Sequence, residues 1–171
     1  VLAELGHQIS GMDPVASLVR AAQTCLSPQT PLVTAPLAAL EQAALLPGPF
    51  DAVMVGWGVW GHILRRDERI AGLRALRSRS NGPVLLSWAM EDARGLRGNA
   101  RTAASAATSS VATPPQWPGW RDRAVLLPHM GCQVRIGRVD IEQEAAIAGF
   151  DVLHYGDAAS GYPHAVLRPQ T

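Results

Sequence analysis

Residues 50–58, Phe-Asp-Ala-Val-Met-Val-Gly-Trp-Gly, are the stretch on which the fold turns. A near-continuous apolar and β-branched run closed by glycines suits a parallel strand buried on both faces, so this segment is expected to lie centrally in its sheet. Downstream, residues 65–80 carry Ile70, Leu73 and Leu76 at helical spacing with arginines between them. That is a surface-helix pattern, and Asn81-Gly82-Pro83 stops it. Residues 82–90, Gly-Pro-Val-Leu-Leu-Ser-Trp-Ala-Met, read as a second buried strand. Upstream, residues 8–13 form a short strand closed by Asp13 and Pro14, with a helix over 15–25, a strand over 30–36 and a weaker helical stretch over 37–46. Strands and helices alternating at crossover spacing predict an α/β fold with a mainly parallel sheet.

The C-terminal third changes the pattern. Residues 140–150 read as a helix with Asp140 as cap, Gln143 three residues on for a capping box, and Gly149 as its stop. Two strands follow over 151–157 and 163–169, and their five-residue link is too short for a parallel crossover. An antiparallel hairpin is therefore expected. Residues 93–138 are rich in Gly, Arg, Ala, Ser and Thr and have no core periodicity, which predicts a lid or flexible insertion within a single domain spanning 1–171.

Composition narrows the chemistry. With 171 residues, 47% hydrophobic and 17% charged, the chain has the material for a packed core. Its 15 basic and 14 acidic residues are interspersed and leave a net charge of +1, so no nucleic-acid or anionic-lipid partner is implied. All the basic residues are arginine, which excludes Schiff-base, pyridoxal-phosphate and P-loop chemistry. Cys25 and Cys132 offer neither a disulfide framework nor a zinc spacing, and the apolar stretch Ala52–Ile63 is far short of the ~20 residues of a membrane crossing. A soluble, cytoplasmic protein with no metal is expected.

Asp13 sits where a parallel strand meets the crevice in which open α/β sheets bind ligands, and its two oxygens suit both hydroxyls of a ribose. An acid followed by Pro14 and a helix equally suits an N-terminal cap. Gly56 and Gly58 permit close backbone approach after the 50–55 strand, and Trp57 or Trp60 there can stack on a ring or pack in the core. His62 is the titratable side chain beside this loop, a general base or a structural hydrogen-bond partner. His129, His154 and His164 lack a third ligand for a metal and read as structural, and Trp117 and Trp120 as docking the insertion onto the core.

Three segments, Gly11-Met12-Asp13-Pro14, Phe50-Asp51-Ala52-Val53 with Gly56-Trp57-Gly58, and Ala148-Gly149-Phe150-Asp151-Val152, occur in an order that resembles the class I methyltransferases using S-adenosylmethionine. The resemblance covers residues 1–92 and 139–169. It implies a Rossmann-like fold, S-adenosylmethionine as cofactor, and a small-molecule methyl acceptor. Met12, Asp13, Pro14, Ala35, Pro36, Gly56, Trp57 and Gly58 would line the cofactor, with His62 as the catalytic candidate. At Ala35 the family usually has an acid that holds the adenine amine, and this chain departs from it.

In dinucleotide-type folds the ribose acid follows a glycine-rich turn by about 20 residues, and counting back from Asp13 puts that turn before Val1. Residues 1–6 read as the end of a helix, with Gly6 as its cap. The expectation is an N-terminally truncated domain that lacks the first strand and its Gly-rich loop and is inactive by itself. Two other readings stand beside the enzyme. Ala35 suits a non-catalytic methyltransferase-like binding domain, and Asp13 would also serve a nicotinamide-dependent oxidoreductase, although the closing hairpin argues against the latter.

Overall fold

The computed structural model describes residues 2–56, 58–88, 124–127, 131–157 and 163–171. Along the chain these form β1 (Gly11–Asp13), α1 (Ala16–Cys25), β2 (Leu32–Thr34), a 3₁₀ helix (Leu37–Gln42), β3 (Val53–Val55), α2 (Val59–His62), α3 (Arg66–Arg79) and β4 (Val84–Ser87). They continue with β5 (Ala124–Leu127), β6 (Gly131–Val134), α4 (Arg138–Ile147), β7 (Phe150–Gly156) and β8 (His164–Pro169). Among these residues no helix is long and apolar enough to cross a membrane.

The strands form three groups. β1 and β2 pair in parallel, with Asp13 opposite Thr34. A four-stranded sheet has the order β3-β4-β8-β7, parallel between β3 and β4 and antiparallel in the other two pairings. β5 and β6 make a separate antiparallel ribbon. The expected C-terminal hairpin is present, with an irregularity between Val152 and His154. The sheet is mixed, and parallel pairing is confined to its N-terminal half.

The core follows from the pattern. Val84 and Leu86 of β4 and Ala165 and Leu167 of β8 are fully buried and share one core with Leu73 and Leu76 of α3 and Ile141 and Ala145 of α4. Alternation along β4 puts Val84 and Leu86 on one face, as a period of two requires.

Several expectations need correction. β3 is not central: it is the edge strand of its sheet among the described residues, and Met54 is 64% exposed. The apolar run requires two covered faces, but only the face of Val53 and Val55 meets the core. The 37–46 stretch is not an α-helix. Leu37, Leu40, Ala43 and Leu46 recur every third residue, the period of a 3₁₀ turn, and the 3₁₀ helix ends at Gln42. The last helix starts at Arg138 rather than Asp140. Asp140 is its third residue, and its carboxylate accepts a hydrogen bond from the Gly137 amide at 2.9 Å. Its expected partner Gln143 instead accepts from the Arg66 guanidinium at 3.0 Å. Gly149 does end the helix, at φ 80°.

Of the 93–138 insertion, the described part holds the β5–β6 ribbon and the start of α4. His129, Trp117, Trp120 and Trp57 lie outside the described residues.

Candidate active site

The candidate residues sit where strands end. Asp13 closes β1 and is half-buried, and its backbone carbonyl accepts a hydrogen bond from the Ala35 amide at 3.1 Å. The parallel register thus brings Met12, Asp13, Pro14, Ala35 and Pro36 to the ends of two neighbouring strands. The Asp13 Oδ1 accepts the Val15 amide at 2.7 Å, so the carboxylate holds the turn into α1 with one oxygen. The N-cap of α1 is Val15, with no side-chain cap bond, so Asp13 closes the turn before the helix rather than capping it. That turn and ligand binding are compatible, because an ionised carboxylate has about four lone-pair sites and the turn uses one.

The second group surrounds the end of β3. Gly58 is in the left-handed region at φ 75°, a conformation that glycine adopts without steric cost, and this turns the chain from β3 into α2. Its amide donates to the Ser87 hydroxyl at 3.4 Å, tying the turn to the end of β4. Val59 bridges to Trp88 on the same side. Trp60 is fully buried and belongs to the core, so of its two readings, packing holds.

His62 ends α2 with its side chain on the exposed surface of that turn. Its Nε2 lies 3.0 Å from the Gln133 side-chain nitrogen, which comes from β6. Gln133 is 2% exposed, and so is a buried polar residue aimed at the candidate base. Neither Ser87 nor Gln133 was legible as a site residue, since a serine in an apolar strand and a glutamine in a segment without periodicity carry no signature.

No hydrogen bond among the described residues joins the Asp13–Ala35 group to the Gly56–His62 turn. Among the described residues each of β1 and β3 pairs on one side only, with β2 and β4 respectively. His154 and His164 meet across the C-terminal hairpin, with ring centroids 5.3 Å apart. Among the described residues no group of three His, Cys, Asp or Glu side chains is placed to hold a metal ion.

No protein-family model matches the chain, and no curated protein matches it in sequence. Solved structures do. A magnesium protoporphyrin IX methyltransferase from Synechocystis PCC 6803 with bound S-adenosylhomocysteine superposes with a TM-score of 0.62 at 20% identity, covering 99% of this chain and 67% of that one. An S-adenosylmethionine-dependent methyltransferase from Methanosarcina mazei gives a TM-score of 0.68 at 10% identity, covering 99% and 85%. An amino pentose methyltransferase from Micromonospora echinaspora, solved with S-adenosylmethionine, gives 0.63 at 12% identity, covering 95% and 74%. At these identities the likeness is one of fold, and the chain has the fold of the class I S-adenosylmethionine-dependent methyltransferases.

Proposed function

We propose that the chain is the larger part of a single-domain S-adenosylmethionine-dependent methyltransferase for a small-molecule acceptor. The observation that carries this reading is Asp13, a half-buried carboxylate at the tip of a parallel strand with lone pairs left over after it has accepted the Val15 amide. Asp13 would take the ribose hydroxyls. Met12, Pro14, Ala35 and Pro36 would flank the nucleoside, and the Gly56–Gly58 turn with Trp57 would approach the methionine end. Ala35 leaves adenine to apolar and backbone contacts. The sulfonium supplies an activated methyl group, so this chain's own work is to align the acceptor, exclude water and remove a proton from the nucleophile. His62 is the proposed proton acceptor.

The same reading puts a further strand between β1 and β3, outside these residues, and with it the Gly-rich loop that would hold the methionine part of the cofactor. Support comes from the sheet itself. Among the described residues β1 and β3 each have one unpaired edge; Met54 on β3 is 64% exposed, Leu18 of α1 56% and Leu5 68%. Uncovered strand edges and exposed large apolar side chains are surfaces that folded proteins cover. On this reading the chain alone is inactive and the 93–138 segment covers the acceptor.

The test is calorimetric titration of S-adenosylhomocysteine into this chain and into one carrying about 40 additional upstream residues, enough for a strand and the ~20-residue spacing to the acid. Binding only by the longer chain is expected. Equal tight binding by both contradicts the missing strand, and binding by neither contradicts the methyltransferase reading. A non-catalytic binding domain, the reading that Ala35 favours, would bind without transferring the methyl group to any acceptor.

A further inference from the structure

We propose that His154 and His164 form an open two-imidazole site for a divalent transition-metal ion of the zinc or copper type, independent of the methyltransferase reading. The two residues are diagonal neighbours on the C-terminal hairpin: His164 stands opposite Gly156, and His154 lies two positions earlier on β7. Residues i and i+2 of a strand share a face, so both imidazoles rise from the side of the sheet away from the buried Ala165 and Leu167. Diagonal pairs are within reach of long side chains. Here the ring centroids are 5.3 Å apart. Two imidazoles on one tetrahedral ion, each nitrogen about 2.0–2.1 Å from the metal, have centroids about 5 Å apart. The pair already stands at the spacing that a shared ion requires.

Gly156 makes this approach possible. A Cβ at that position would stand 2.7 Å from His164 Nε2 and 2.8 Å from Nδ1, closer than real contacts allow. The nitrogen-bearing side of the His164 ring thus lies over β7, the strand of His154, on the one residue type that leaves room for it. Any side chain there would push the ring back over its own strand.

The donor set selects the metal. Neutral imidazole nitrogen suits Zn²⁺, Cu²⁺ and Ni²⁺, whereas Mg²⁺ and Ca²⁺ take oxygen ligands. His154 is exposed and His164 half-buried, so solvent reaches the pair. Among the described residues no third His, Cys, Asp or Glu joins them, which leaves the other coordination positions to water or to donor atoms of a bound molecule. Ser87, the β4 partner of His164, also accepts the Gly58 amide. The site therefore stands at the end of the sheet that carries the Gly56–Gly58 turn.

The test is titration of Zn²⁺ into the chain by calorimetry, with ¹H–¹⁵N spectra of the histidine rings recorded in parallel at a pH of about 7.5, where an ordinary histidine is mostly neutral. His154→Asn and His164→Asn assign the two signals among the five histidines. At one equivalent of Zn²⁺ the signals of His154 and His164 are expected to shift together, ahead of those of His7, His62 and His129. Each asparagine variant should weaken the tightest Zn²⁺ binding about tenfold or more, the least that disturbing a metal ligand costs. Gly156→Ala, which keeps both imidazoles, should weaken it too, and Mg²⁺ should move neither signal. Shifts that begin at other histidines overturn the proposal, as does an unchanged affinity in His154→Asn or Gly156→Ala, or an equal response to Mg²⁺. If a variant fails to fold, the spectra of the unmodified protein decide the matter.

Discussion

Arg69 and Glu144 form a two-pronged ion pair inside the core, with Nε to Oε2 at 2.9 Å and a terminal nitrogen to Oε1 at 2.6 Å, joining α3 to α4. Both side chains are almost wholly buried. The remaining guanidinium nitrogen donates to the carbonyls of Ile63 and Leu64 at 2.9 and 3.2 Å, so the pair also pins the segment that follows His62. A helix–helix contact therefore fixes the far end of the turn carrying the candidate base.

Removing one partner leaves the other charge buried and unpaired. Glu144→Ala should lower the unfolding free energy by about 3–5 kcal/mol in urea denaturation. The double variant Arg69→Met, Glu144→Leu should recover much of that loss, because packed apolar side chains replace a buried pair at little net cost. A loss under 1 kcal/mol for the single variant would show that water reaches the site.

Gly82 lies in the turn from α3 to β4, where an added Cβ would stand 1.8 Å from the Asp51 carbonyl oxygen. Backbone cannot yield there as a side-chain tip can. Gly82→Ala should cost about 3 kcal/mol or more, measured by the same denaturation, and should loosen the approach of residue 51 to residues 80–82. Ser80→Ala, which removes a hydroxyl that donates to the Gly82 carbonyl at 3.0 Å, lies 3.4 Å from the Phe50 carbonyl and accepts from the Gly82 amide at 3.3 Å, should cost about 1–3 kcal/mol.

Tyr155 titrates above the ordinary phenol value of 10.0, chiefly because burial disfavours the phenolate and secondarily because Asp157 is near. The Trp88 ring stands 5.8 Å away, and Arg138 lies over the Tyr155 ring. A phenol held neutral by folding stabilises the protein below pH 10, and that contribution disappears as the pH rises through the folded-state value. Ultraviolet titration should show one tyrosine ionising late, and Tyr155→Phe should remove that phase. Persistence of the late phase in the variant would assign it to Tyr162.

Much of this was legible in the sequence. The α3 helix, the antiparallel close through a five-residue link and the glycine stop at Gly149 all rest on local chemistry, which the chain carries wherever it lies. Arg69 was not legible. It reads as one of several surface arginines on an amphipathic helix, yet it is 1% exposed because its acid lies 75 residues away. The β3 error has the opposite origin. The run from Phe50 to Val55 reports that a strand wants neighbours, and it cannot report which residues supply them. Gln133 escaped because a glutamine becomes a site residue only through what it faces.

Asp13 carries the central claim. In a chain long enough to bind S-adenosylhomocysteine, Asp13→Ala should weaken binding by about 1.5–3 kcal/mol for each charge-assisted hydrogen bond lost, tenfold or more in Kd by titration calorimetry. Loss of that size, with the thermal midpoint shifted only as the loss of one turn hydrogen bond requires, is what a ribose-binding carboxylate predicts. An unchanged Kd would contradict the account and leave Asp13 as a turn residue before α1 alone.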